Sequence, residues 1–332
     1  MPTVVVFLLC VTVWMSVRSG SSAGATGYTL ENYRAIYTDP FALVALGNTV
    51  WFAVVSTVVA LAFGVPIAWL IERTSMSSKP LVYALMVLGM VIPSSFVGMG
   101  WILLSHPRIG FANVWLRTLT GLPGLSINIT SVGGMGFVQG LSLAPLAFIM
   151  AAAAFRSMNP LLEEAALVHG MRHATILRRI TLRLAAPALA AATIYVFAIG
   201  VAAFDIPAIM GLGNRIYTFS TFLYQIAINS SEIPNYNLPA AVAIVMVAFA
   251  FGMTVWYSRF LRTSERYEII SGRSYLPKTL ALTRWRNAGA WSFTALYLLL
   301  SAGLPLLLLA WVAFLPYPQP PSPAAVKNLT LS

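Results

Sequence analysis

Seven stretches of this chain, at about 3–17, 47–71, 81–104, 132–155, 184–210, 238–258 and 292–315, are apolar almost throughout. Most reach the ~18 consecutive apolar residues that let a helix cross a bilayer. Only helices and closed barrels satisfy their backbone inside hydrocarbon, and runs of this length are helical, so the sequence predicts an all-α, polytopic transmembrane bundle of about seven spans. The remaining composition agrees: 59% of the residues are hydrophobic and 9% are charged, against roughly 25% charged in a soluble domain. Pro66, Pro93, Pro145, Pro187, Pro207 and Pro305 fall inside the apolar windows. Neighbouring helices in a membrane re-satisfy the carbonyls that proline frees, so kinks are expected there, not breaks.

A net charge of +11 raises the question of nucleic acid, and the distribution of the basic residues answers it. The segments 72–80, 156–183 and 259–291 carry Arg73, Lys79, Arg156, Arg172, Arg178, Arg179, Arg183, Arg259, Arg262, Arg266, Arg273, Lys278, Arg284 and Arg286, fourteen of the twenty. The alternate segments carry Arg18, Arg34, Arg108, Arg117, Arg215 and Lys327. By the positive-inside rule the first set is cytoplasmic, the N-terminus starts inside, and the charge excess reports orientation instead of a nucleic-acid surface. The first window leaves an alternative open, because Ser21–Ala25 has the small residues of a signal-peptide cleavage site. Acceptor tripeptides at Asn128, Asn229 and Asn328 are read as chance matches. A single cysteine, Cys10, excludes a disulfide framework and a thiolate metal site.

The segment 156–183 is the most informative. Asn159-Pro160 starts a helix, Glu163 and Glu164 stand in its first turns where the macrodipole favours acids, and Gly170 is placed to end it. A basic second helix with Arg172, His173, Arg178, Arg179 and Arg183 is expected to follow across the inner face of the membrane, giving a docking surface.

Glu164-Ala165-Ala166, three residues, Gly170, nine residues, Ile180, one residue and Leu182 resembles the EAA loop of inner-membrane permeases of binding-protein-dependent ATP-binding-cassette importers, the type I or MetI-like group. One position departs: the family usually has proline after the Ile-x-Leu, and this chain has Arg183, with Pro187 the nearest. Thr29 to Tyr33, Gly47-Asn48-Thr49, Gly64-Val65-Pro66, Glu72-Arg73-Thr74 and Asp205-Ile206-Pro207 through Gly211 are similar to permeases of ferric-iron importers. Permeases for polyamines, thiamine and phosphonates look alike, and they stand as the alternative cargo. The resemblance implies the MetI-like fold, residence in the bacterial inner membrane, and a coupling helix over Glu163 to Gly170 seated in a cytoplasmic ATP-binding subunit dimer. It also implies an extracytoplasmic substrate-binding protein and a second permease half. It implies no catalytic residue, cofactor or resident metal in this chain.

Asp205 is the acid predicted inside a span, read either as part of the translocation path or as a structural cap for Gly211–Gly213. No His, Asp, Glu or Cys cluster with metal-ligand spacing occurs in the windows, so ferric specificity would reside in the external binding protein. Met86, Met90 and Met99 read as packing. An ion-coupled transporter or intramembrane enzyme would need paired ionisable groups at mid-membrane, and Asp205 stands alone.

The chain is expected to divide into a first permease unit at 1–258, a basic cytoplasmic linker at 259–291 and the start of a second, truncated unit at 292–332. The linker is expected on the anionic inner leaflet, where each basic residue gains about 1 kcal/mol.

Overall fold

The computed structural model describes residues 2–19, 27–122, 124–159, 161–228, 236–264, 280–321 and 323–326. The tripeptides at Asn229 and Asn328, Lys327 and the linker from 265 to 279 lie outside the described residues. Among those described, five helices are long and apolar enough to cross a membrane: Pro40–Arg73, Val132–Ser157, His173–Ala202, Asn237–Arg259 and Arg284–Ala313. In chain order the elements are α1 (Pro2–Ser16), α2 (Glu31–Thr38), α3 (Pro40–Arg73), α4 (Lys79–Gly89), α5 (Ser94–Ser105), α6 (Phe111–Thr120), α7 (Val132–Ser157), α8 (Leu161–Val168), α9 (His173–Ala202), α10 (Phe219–Ile228), α11 (Asn237–Ser264) and α12 (Arg284–Ala313).

α3 starts where Asp39 Oδ1 accepts a hydrogen bond from Phe41 N at 2.9 Å, with Pro40 in the first turn, where its missing N–H costs nothing. α7 starts on Ser131, whose Oγ accepts from Gly134 N at 3.1 Å. The two helices run parallel in direct contact and form the centre of the bundle. Small residues allow this: a Cβ on Gly64 of α3 would stand 2.7 Å from Ala144 O, and one on Gly140 of α7 would stand 2.6 Å from Ser56 O. Lipid tails are as apolar as the side chains they compete with, so close backbone approach supplies the association that hydrophobicity does not. Pro66 and Pro145 sit inside these helices without breaking them, as the windows predict.

The window 81–104 is not one straight span. α4 and α5 meet at a bend of 90° across residues 90–93, and the chain turns there into α5, which packs on α7 and α12. Pro93 removes an N–H donor at the break, and residues 90–92 leave the helix with it.

The other boundaries move for local reasons. The span expected at 184–210 begins at His173 and ends at Ala202. The basic second helix is therefore not a separate element on the membrane face; it is the basic end of α9. The helical ladder runs on through Arg183 and Pro187, with a π turn over Leu177–Thr181. α12 begins at Arg284, inside the region expected to be linker.

α12 is built into the first unit. Tyr297, 1% exposed, donates its Oη to Leu141 O at 3.1 Å, and Phe293 stacks on Phe63 with centroids 5.5 Å apart. Trp101 Nε1 of α5 donates to Leu300 O at 3.2 Å. Gly100 faces the α12 backbone so closely that a Cβ would lie 2.5 Å from Pro305 Cα. At the other end Ser75 N donates to Leu280 O at 2.9 Å and Leu280 N to Arg73 O at 3.0 Å, a short parallel bridge that ties the approach to α12 to the turn after α3.

Candidate functional site

α3, α7 and α9 bring their ends together on the side rich in basic residues, and α8 projects there. Leu161 N is capped by Asn159 Oδ1 at 3.0 Å. Gly170, with φ +75°, closes the helix: Gly170 N donates to Leu167 O at 2.9 Å and Met171 N to Ala166 O at 3.1 Å. This is the left-handed glycine cap, with two of the orphan carbonyls satisfied. Any side chain at 170 would be strained, although the space around it is open.

The two carboxylates of the loop have different surroundings. Glu163 turns inward: its Oε1 accepts from Thr181 Oγ1 at 2.6 Å, and its Oε2 stands 3.7 Å from Arg73 Nη1. Glu164 has one carboxylate oxygen, Oε1, buried with no hydrogen-bond partner. Ala165 is exposed and Ala166 buried, which sets the two faces of α8. Ile180 lies within the π turn of α9, half-buried, and Leu182, exposed, follows it. The structure thus brings Glu163 into contact with the start of α9 and leaves Ala165 and Gly170 on the outer surface.

Four residues the sequence reading did not single out define the outward face of α8. Leu161, Leu162, Leu167 and Val168 are exposed, Val168 at 85%. An apolar face on a short helix outside the bilayer has no reason to stay uncovered. Helical spacing could have found part of it: Leu161 and Val168, seven residues apart, lie on one stripe. Behind α8 a cleft of about 300 Å³ is lined by Trp69, Arg73, Glu164, His173 and Leu280 among others. A second ion pair, Arg156 to Glu72 at 2.6 Å, joins the ends of α7 and α3 nearby.

Asp205 lies in the bundle where the chain leaves α9 at Ala203 and Phe204 and winds again through the π turn Pro207–Gly211. Its Oδ2 accepts from Ser94 Oγ at 2.9 Å. Ser94 is the first residue of α5, immediately after the 90° bend, and Ile206 packs over Gly98 of the same helix. Two interrupted helices therefore meet at a carboxylate that remains exposed. Non-helical backbone at membrane depth is tolerated where protein buries it or where it lines a watered cavity. Among the described residues no three His, Cys, Asp or Glu side chains gather as a metal site.

A bundle of long apolar helices, one pair of them bent by 90°, with a short capped helix held at its basic end fits a membrane transport subunit. The chain belongs to the family of binding-protein-dependent transport system inner membrane components, whose signature spans residues 60–266. A probable molybdenum ABC transporter permease of Haloferax volcanii is 31% identical over 217 residues, 65% of this chain and 74% of that protein. The ferric transport system permease of Actinobacillus pleuropneumoniae is 26% identical over 72% of this chain, which matches 34% of that longer protein. A bacterial ABC transporter that imports the acidic polysaccharide alginate shares the fold, with a TM-score of 0.54 at 18% identity, covering 77% of this chain and 93% of that one. The chain is a multi-pass membrane permease component of an ABC importer and carries the MetI-like fold.

Proposed function

We propose that this permease forms the translocation path of an ATP-driven importer of ferric iron and is moved by a cytoplasmic ATP-binding subunit dimer docked on α8. The observation that carries the docking is the exposed apolar face of Leu161, Leu162, Leu167 and Val168 on a helix capped at both ends. ATP hydrolysis belongs to that partner. Closure of the partner on ATP shifts the permease between two states, which takes about 5.5 kcal/mol of differential affinity to go from 1:99 to 99:1.

Asp205 and Ser94 line the path, because a carboxylate inside the bundle is stable only where water or a passing solute reaches it. Discontinuous helices are the usual place for a transporter to hold its solute. The cytoplasmic N-terminus follows from the charge distribution of the loops. α12, although packed against the first unit, is the first helix of the second permease half, and an extracytoplasmic binding protein delivers the solute. The ferric reading is supported by the resemblance of 29–74 and 205–211 to ferric permeases and by relatives so named. A molybdate reading competes with it, since relatives named for molybdenum and for molybdate/tungstate match over 65% of this chain.

The test is elemental analysis of the external binding protein crosslinked to the permease in intact cells. Iron at about one atom per protein supports the ferric reading, molybdenum or an organic ligand replaces it, and no crosslinked external protein refutes delivery by a binding protein.

A further inference from the structure

Arg73, the last residue of α3, is 7% exposed. A buried guanidinium is held only by partners placed for it, and here the partners come from different elements. Nη1 faces Glu163 Oε2 of α8 at 3.7 Å, and Nη2 donates to Met158 O, just after α7, at 3.2 Å. Glu163 in turn accepts from Thr181, the last residue of the π turn in α9, at 2.6 Å. The backbone carbonyl of Arg73 accepts from Leu280 N at 3.0 Å, on the approach to α12. One residue therefore joins the projecting helix to four others.

We propose that Arg73 is a positioning residue for transport: its clasp on Glu163 carries a displacement of α8 into α3, α7 and α9, and through the Leu280 bridge into α12. The proposal rests on the reading of α8 as the ATPase-docking helix. Three features favour transmission over simple anchoring. The opposite face of α8 is uncovered, so a partner pushing on Leu161 and Val168 pushes toward Glu163. Arg73 Nε has no hydrogen-bond partner although it is buried, which leaves the guanidinium a donor to spare in a second arrangement. The contact on α9 falls on a π turn, where the helical ladder is already loosened and can shift register. The charges facing the pair are Glu164 and His173 across the cleft; Glu72 is engaged by Arg156.

The test uses the whole importer with its ATPase and binding protein in proteoliposomes. The readout is the ATPase rate with binding protein loaded with Fe(III), or in parallel with molybdate, divided by the rate without it. Arg73→Gln and Glu163→Gln should each lower this ratio about tenfold while the ATPase still co-purifies. Arg73→Lys should restore part of it, and the double variant should be no worse than either single one, because both remove the same link. A purely anchoring role would lower the melting temperature and both rates together. A wild-type ratio in both single variants, or additive losses, would overturn the proposal. Thr181→Val removes one hydroxyl and leaves the buried charges in place, so it decides the matter if Arg73→Gln does not insert: an unchanged ratio there refutes the clasp. Val168→Glu, on the exposed face, tests the docking reading by itself, since retained co-purification in that variant refutes docking through α8 whatever Arg73 does.

Discussion

The contact between α3 and α7 makes a quantitative prediction through a single methyl group. In Gly140→Ala the new Cβ meets Ser56 O at 2.6 Å and Val59 Cβ at 2.6 Å. Carbon atoms rest about 3.5 Å apart at closest comfortable packing, so the clash with Val59 is about 0.9 Å. The first obstacle is backbone carbonyl, which no rotamer change can move, so the helices themselves must separate. Overpacking of this type costs about 1–3 kcal/mol. The same substitution at Gly252 in α11 meets nothing within 4 Å and should gain up to about 1 kcal/mol from helix propensity. The two alanine variants should therefore differ by about 1–4 kcal/mol, in opposite directions from wild type. Reversible unfolding in mixed micelles, followed by tryptophan fluorescence, measures the difference. Equal stabilities for the two variants, or a Gly140→Ala protein as stable as wild type, would refute the claim that backbone contact at this seam holds the bundle.

Three further outcomes are expected. Glu164→Arg should abolish co-purification with the ATPase, by putting a cation where a carboxylate stands on the helix proposed to dock it; unchanged co-purification and transport would mean the loop is misassigned. Asp205→Asn should reduce uptake while leaving ATPase binding intact, and Ser94→Ala should do so less, because Asp205 remains; equal and full transport in both would remove them from the path. Tyr297→Phe should cost about 1 kcal/mol in the same unfolding measurement, since it removes the bond to Leu141 O without opening a cavity.

The periodic and compositional content of the chain was legible in advance, and the part that depends on contact was not. Apolar length located α3, α7, α9, α11 and α12, because a helix in lipid must satisfy its own backbone whatever its neighbours do. Glu164-Ala165-Ala166 with Gly170 located the projecting loop, because a left-handed cap leaves a glycine in the sequence. The 90° bend at residues 90–93 was not readable: Pro66, Pro145 and Pro93 look alike in sequence, and only at Pro93 do the flanking residues also leave the helix. Arg73 entered only as part of Glu72-Arg73-Thr74, a segment matched to a family, with no sign of its contacts. It reads as one more cytoplasmic arginine, and its importance comes from Glu163 and Leu280, residues 90 and 207 positions away along the chain. The apolar face of α8 was visible in Leu161 to Val168 but was overshadowed by the carboxylates beside it.

The placement of α12 also sets the order in which the protein can be made. Tyr297 and Phe293 occupy a site between α3 and α7, and that site is empty until the ribosome has passed α12. About fifty residues separate the end of α11 at Ser264 from the end of α12 at Ala313, which at about 5–20 residues per second takes several seconds. Throughout that interval the nascent chain presents an open groove in the bilayer, closed only by lipid or by the insertion machinery. A ribosomal pause within that interval would prolong the exposure, and slow translation there should raise the fraction of permease degraded before it is complete.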